Sequence, residues 1–271
     1  MTPSWNSLCE ILRSNRLEKL IVKDFVKPIG FIQLIGDKLV VAGQKKVLLP
    51  TKSNNKFISW DYLDFSVRVT YMDNEKVAYV IENSHDGQIN CLCVSSDCKY
   101  LITGGNDSLL CVREMKKIQG SNYFVLLKTL SGNFTSIQCV TVSRSFSIIV
   151  SVAQDNTVII WDLNRLAFVQ LVELSKEVGR YQVSSVTIND LNGNIVLIAG
   201  PYIQICNVNG QLVTIRKTLW ITSFTISCSV SCDWLVEYIT GHEDGSIRVI
   251  ILFYFFSYFS SKILKELAFL F

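Results

Sequence analysis

Proline is scarce in this chain, four in 271 residues, and glycine contributes fourteen. Such a composition excludes a proline- or glycine-rich disordered polymer. Histidine is scarcer still: only His85 and His242 occur, far apart. His85 reads as a turn residue that bonds its own repeat, and His242 stands in a turn beside Glu243 and Asp244. Neither suggests a metal or catalytic role. Nine cysteines are present, and Cys91, Cys93, Cys98 and Cys111 lie close together. None of these four forms a Cys-x-x-Cys pair and no histidine follows at ligand spacing, so no metal is expected. Cys91 and Cys93 alternate with Leu92 in an apolar run, where a free thiol behaves as a small hydrophobe. An odd cysteine count with no N-terminal signal sequence fits a reducing compartment, hence the cytoplasm. The sequons at Asn106 and Asn133 then carry no weight.

Charge of one sign is lacking too. Twenty-six basic residues against twenty-three acidic ones leave a formal net charge of +3, and the basic pairs Lys45-Lys46 and Lys116-Lys117 are short. No nucleic-acid partner is expected. The phosphate-cradling patterns G-x-G-x-x-G and G-K-[ST] do not occur, and T-G-G-N-D at Thr103 lacks their context. No G-x-S-x-G nucleophile elbow appears. Asp61 with Asp64, or Asp155 with Asp162, could be read as acid/base pairs. Turn aspartates that bond their own backbone explain them more simply. No cofactor is implied.

What the chain does have is strand-forming residues: 49% of it is hydrophobic, with Val, Ile, Phe and Tyr prominent, which suits pleated, half-buried strands. The strands recur. Ser151 to Trp161 reads S-V-A-Q-D-N-T-V-I-I-W, Thr103 to Arg113 reads T-G-G-N-D-S-L-L-C-V-R, and Thr240 to Ile250 reads T-G-H-E-D-G-S-I-R-V-I. Ser59 to Val69 is a looser copy. In each a hydroxyl residue leads to an aspartate turn and then a strand. The turn aspartates Asp64, Asp107, Asp155 and Asp244 are about 43, 48 and 89 residues apart, the last interval holding Gly200 near its midpoint. A period near 45 with four short strands per unit predicts an all-β fold, a WD-repeat β-propeller. Full blades are expected over Ile89–Leu130, Ile137–Leu174 and Val183–Lys217. Ile221–Ile250 should supply three strands of another, and Phe57–Glu82 the later strands of one more. Phe31–Leu34, Lys38–Ala42 and Lys46–Leu49 suggest a further degenerate blade, for about six in all, with ring closure left open.

In a regular repeat of this kind a histidine, the turn aspartate, a Ser or Thr and a strand tryptophan form one buried hydrogen-bonded chain. No blade here keeps all four. Ser151, Asp155 and Trp161 have Asn133 in the histidine place. His85, Thr103 and Asp107 have Arg113 in the tryptophan place. Thr240 and Asp244 have Ile250 there. Arg113 reads most simply as a strand-end charge turned to solvent.

The stretches I-I-V-S-V-A-Q-D-N-T-V-I-I-W-D-L-N-R-L, I-N-D-L-N-G-N-I-V-L-I-A-G-P-Y-I-Q-I-C-N-V-N-G, I-T-G-G-N-D-S-L-L-C-V-R-E-M and Y-I-T-G-H-E-D-G-S-I-R-V resemble the C-terminal propeller of BEACH-domain proteins. The resemblance is nearest to the WD-repeat-and-FYVE-domain group, with the lysosomal trafficking regulator and neurobeachin more distant. V-K-P-I-G-F-I and K-K-V-L-L-P resemble the join that follows a BEACH domain. The resemblance implies a non-catalytic scaffold whose partners are proteins of autophagy and endosomal-lysosomal traffic, cytoplasmic and peripheral on endomembranes. No BEACH domain or zinc-binding FYVE finger is seen, so lipid and zinc binding are not implied, and the lipid-binding F-R-R-G motif is missing. The expected division is a partly helical linker over residues 1–25, with apolar spacing in Leu8–Leu20, a propeller over 26–250, and a hydrophobic tail over 251–271 that resembles nothing in the family. Such a tail suggests a truncated or aberrantly spliced product, a fragment with lost function being the alternative. Its apolar run Val249–Phe259 falls short of the roughly 20 residues of a membrane span. An enzyme would need carboxylates on the innermost strands, whose polar positions read Cys, Gln, Thr and Ser.

Overall fold

The computed structural model describes residues 31–35, 38–42, 46–49, 56–60, 62–71, 76–82, 84–118, 121–217, 226–232, 237–242 and 247–251, with side chains between 56 and 217. Among the described residues, runs rich in β-branched, leucine and aromatic residues make twenty-one strands. They are β1 (Phe31–Ile35), β2 (Lys38–Ala42), β3 (Lys46–Leu49), β4 (Lys56–Ser59), β5 (Val67–Tyr71), β6 (Val77–Ile81), β7 (Ile89–Val94), β8 (Tyr100–Gly105), β9 (Leu110–Ile118), β10 (Ser121–Leu130), β11 (Ile137–Ser143), β12 (Ile148–Ala153), β13 (Val158–Asp162), β14 (Ala167–Val172), β15 (Val183–Ile188), β16 (Ile195–Ala199), β17 (Tyr202–Cys206), β18 (Leu212–Lys217), β19 (Ile226–Cys232), β20 (Glu237–His242) and β21 (Ile247–Ile251). Among the described residues one 3-10 turn, Val178–Arg180, precedes β15.

Four sheets are antiparallel four-stranded meanders, β3 to β6, β7 to β10, β11 to β14 and β15 to β18. β19 to β21 form a three-stranded sheet and β1 with β2 a two-stranded one. The first strands touch in sequence, β3 with β7, β7 with β11, β11 with β15 and β15 with β19, and β1 touches both β19 and β3. This is the arrangement of a propeller. Among the described residues no strand pairing joins the first sheet to the last. One expectation needs correcting. Lys46–Leu49 does not belong with β1 and β2; it pairs antiparallel with β4, Lys46 opposite Ser59 and Leu49 opposite Lys56. It is the first strand of the next blade, which the sequence reading left one strand short. The expectations for Leu8–Leu20 and for the tail after residue 251 lie outside the described residues.

Burial follows from the stacking of sheets. Every residue of β8 and β16 is buried, whereas β14 and β18 are mostly exposed. A strand lying between two neighbouring sheets is apolar on both faces. Three cores result, each shared by two adjacent blades. Ile58, Val67 and Val69 meet Ile89, Leu92 and Leu101; Ile102 and Val112 meet Ile137, Ile149 and Trp161; Val150 and Ile160 meet Val186, Ile195 and Leu197. Each such aliphatic side chain contributes about 1.5–3 kcal/mol by leaving water. Gly104 marks one close approach: a Cβ there would sit 2.6 Å from Ile137 Cγ2 and 2.9 Å from Cys91 Sγ. Only a hydrogen fits between these two blades.

The repeat is also written in the backbone. Turns joining first to second strands place Cys98, Ser147 and Gly193 at φ 57°, 53° and 73°. Turns joining second to third strands place Phe65, Ser108, Asn156 and Gly200 at φ 53°, 65°, 66° and 52°. Those joining third to fourth strands place Leu166 and Gly210 at φ 50° and 67°. Left-handed backbone is costly for residues other than glycine, so its return at matched positions reflects a turn geometry that each blade needs. Outer strands staple to the next blade in the same way: Lys128 Nζ donates to Leu166 O at 3.0 Å, and Gln170 Nε2 donates to Asn209 O.

Candidate functional site

In the β7–β10 blade, pairing of Ile89 with Gly105 and of Thr103 with Cys111 brings four sequence-predicted positions together. His85 comes from the loop entering β7, Thr103 from β8, Asp107 from the turn before β9, and Arg113 from β9. His85 Nδ1 lies 3.0 Å from both Asp107 carboxylate oxygens, and its Nε2 lies 2.8 Å from Thr103 Oγ1. Arg113 Nη1 donates to that same hydroxyl at 3.2 Å. With neutral His85 the donors run one way: Arg113 to Thr103, Thr103 to Nε2, and Nδ1–H to Asp107. Asp107 also accepts from the backbone N–H of Asp86 and of Leu109, both at 3.1 Å. Gly105 leaves room for this, since a Cβ there would meet His85 Nδ1 at 2.7 Å.

Arg113 therefore corrects an expectation. It is not turned to solvent but 3% exposed, and it does the work of an indole N–H. The next blade shows the parallel. Trp161 Nε1 donates to Ser151 Oγ at 2.9 Å, the hydroxyl lying the same ten residues earlier. Burial lowers the Arg113 pKa, yet a guanidinium keeps its proton in proteins.

Cys111, considered from sequence only among the clustered cysteines, sits two residues before Arg113 on one face of β9. It is buried, and its thiol donates to Ser84 O at 3.0 Å, tying the third strand to the loop entering the blade. In the β15–β18 blade Gln204 holds the matching register position and does the same, donating to Glu173 O at 2.8 Å. Burial raises the Cys111 pKa, but His85 and Arg113 outweigh it and leave it below the ordinary thiol value. Burial likewise pulls His85 down, and Cys111 and Asp107 more than offset that. Elsewhere burial pushes the Cys98 thiol to about 11 and Cys139 to about 12. Cys111, His85 and Asp107 resemble a nucleophile, base and acid in order. His85 is 7% exposed and Cys111 4% exposed; inside the blade His85 bonds Asp107 and Thr103, and Cys111 bonds Ser84 O.

The β11–β14 blade has Ser151 and Trp161 bonded, while Asp155 caps its own turn through the Thr157 N–H at 3.0 Å. Asn133, in the histidine place, is 8% exposed, and neither its Oδ1 nor its Nδ2 has a partner. The shorter amide does not span the gap that an imidazole bridges in the preceding blade. Asn133→His is expected to raise stability by about 1 kcal/mol, one net buried hydrogen bond. A urea midpoint compared with the parent checks it, and an unchanged midpoint counts against the equivalence. Asp64 accepts from Ser66 N and Oγ and pairs with Arg68 at 3.1 Å. Ser59, ahead of it, bonds Tyr62 at 2.7 Å rather than any strand residue. Thr240 lies on β20 opposite Arg248, two residues short of Ile250, and Asp244 lies outside the described residues. Asp162 bonds the N–H groups of Asn164 and Arg165 at 2.8 Å, as a turn aspartate does.

Among the described residues no group of His, Cys, Asp or Glu is arranged to hold a metal ion, and no helix is long and apolar enough to cross a membrane. The model for the WD domain, G-beta repeat, matches residues 76–113 and 124–162, which end at Arg113 and just after Trp161. Protein SPIRRIG of Arabidopsis thaliana is 36% identical over 222 residues, which is 79% of this chain and 6% of that protein. WD repeat- and FYVE domain-containing protein 4 of Homo sapiens is 32% identical over 228 residues, 82% of this chain and 7% of that protein. The human Lysosomal-trafficking regulator is 28% identical over 165 residues, 58% of this chain and 4% of that protein. The chain thus spans less than a tenth of these relatives. It carries WD repeats on an all-β propeller framework, and its homologues are BEACH-domain proteins.

Proposed function

We propose that the chain is a non-catalytic protein-interaction scaffold acting in autophagy, lysosomal sorting and endomembrane traffic, from the cytoplasm and peripherally on endomembranes. The observation that carries this reading is where the polar chemistry goes. His85, Thr103, Asp107 and Arg113 bond one another inside a blade and Cys111 bonds the Ser84 carbonyl there, which leaves the loops of a rigid framework as the surface available to others. Similarity to proteins named for lysosomal trafficking and for WD and FYVE domains supports the pathway. The test is affinity capture of the tagged chain from a cell lysate, with mass spectrometry of what is retained. Enrichment of autophagy or endosomal proteins over a tag-only control is expected. Capture of none of them, by a chain that melts cooperatively, overturns the traffic reading.

A further inference from the structure

Arg113 is a guanidinium closed inside a blade, and the acceptor it reaches, the Thr103 hydroxyl, is neutral. Among the described residues no carboxylate bonds it. Asp107 is engaged by His85 and by two backbone N–H groups. Glu114 lies on the other face of β9 and pairs with Lys99 and Lys116, and Asp86 is exposed. A buried cation without a counter-charge is costly, so this cluster favours an anion beside Arg113. The group that can become one is the Cys111 thiol, where His85 and Arg113 favour the thiolate more than burial opposes it. The sulfur thus has two arrangements. As a thiol it donates to Ser84 O at 3.0 Å; as a thiolate it gives up that bond and serves as counter-ion to Arg113.

Cys111 also stands near the rim. It pairs with Thr129 on β10, the outermost strand of its sheet, just past a register shift between Leu126 and Lys128. Thr129 is exposed, and its Oγ1 lies 3.8 Å from the sulfur. An edge strand paired on one side opens locally more readily than one paired on both. The other thiols differ. Cys93 and Cys139 lie on first strands, β7 and β11, and burial pushes Cys93, Cys98, Cys139 and Cys206 up.

We infer that Cys111 is an oxidation site, a thiolate facing Arg113 and His85 that reacts with hydroperoxides. Its sulfur attacks one peroxide oxygen, so that an S–O bond forms and the O–O bond breaks. Sulfur loses two electrons, and the hydroxide that leaves takes up the proton released when the thiol ionised, giving a sulfenic acid and water. Oxidation ends the thiol's hold on Ser84 O and loosens the loop that carries His85. The inference goes beyond the scaffold reading and does not depend on it.

Peroxide trapping tests it. Dilute hydrogen peroxide is added to the folded chain at neutral pH with dimedone, which captures sulfenic acids, and tryptic peptides are followed by mass spectrometry. Cys111 is expected to be captured roughly tenfold or more faster than Cys93 or Cys139, although both of these are more exposed. In urea that preference should vanish. Thr129→Ala is expected to speed capture severalfold. Arg113→Trp, which keeps a donor to Thr103 without the charge, should slow it by a similar factor. The pH midpoint for alkylation of Cys111 by iodoacetamide should lie below the ordinary thiol value and rise in Arg113→Trp, a shift that a purely structural thiol does not show. Capture of Cys93 or Cys139 ahead of Cys111, no capture at Cys111 in the folded chain, or a rate unchanged by Arg113→Trp overturns the assignment. Melting curves establish that each variant is folded; should Arg113→Trp not fold, Thr129→Ala and the parent's alkylation midpoint decide.

Discussion

Trp161→Ala is expected to cost about 3–5 kcal/mol of folding stability, the range for emptying a large aromatic site in a core. Trp161 is 2% exposed and lies in the core shared by two blades, with Ile137 from β11, Ile149 from β12 and Leu110 from β9 around it. Phe168 meets its ring edge-on at 6.2 Å. The substitution removes packing on both sides of the sheet and strips Ser151 Oγ of its donor. Trp161→Phe separates the two effects. It keeps most of the apolar volume and loses the N–H, so about 1–2 kcal/mol is expected. Urea denaturation gives both numbers. A cost below about 1 kcal/mol for alanine contradicts a tryptophan clamped between blades.

The second large effect is at Arg113. Arg113→Ala removes a buried donor and opens a cavity beside Thr103, and a loss of about 2–4 kcal/mol is expected. Arg113→Trp makes the contrast. If the guanidinium stands in for an indole, tryptophan reaches Thr103 Oγ1 as Trp161 reaches Ser151, and stability stays within about 1 kcal/mol of the parent. The same denaturation curves measure this. A tryptophan variant as unstable as the alanine one contradicts the equivalence.

Much of the fold was legible because turn chemistry is local. Asp107, Asp155 and Asp162 bond backbone N–H groups two or three residues on, so an aspartate between two apolar runs announces its turn without help from distant residues. Gly200 could be placed by spacing alone, and it occupies the left-handed position that Ser108 and Asn156 hold elsewhere. What the sequence did not display depends on neighbours. Cys98, Ser147 and Leu166 carry left-handed backbone although none is a glycine, because strand pairing on either side fixes the turn. The first strand of the β3–β6 blade was assigned to the wrong sheet, since a lysine and three apolar residues carry no mark of the partner they will pair with. Arg113 was misjudged because charge predicts exposure only until a buried acceptor is known, and Thr103 Oγ1 comes from another strand. Cys111 was weighed only as one of four clustered cysteines for a like reason: its partner is a backbone carbonyl, Ser84 O, which leaves no trace in a residue pattern.

The claim beneath these predictions is that one chain of donors and acceptors, passed across strands, holds a blade together even where its residue types have changed. A double-mutant cycle with His85→Ala and Arg113→Ala tests it most directly, because both side chains bond Thr103 Oγ1. Linked residues are expected to couple by about 1 kcal/mol or more in urea denaturation, the double variant losing less than the two single losses combined. Losses that add to within about 0.3–0.5 kcal/mol would mean that the two groups act independently, and that no shared chain secures the blade.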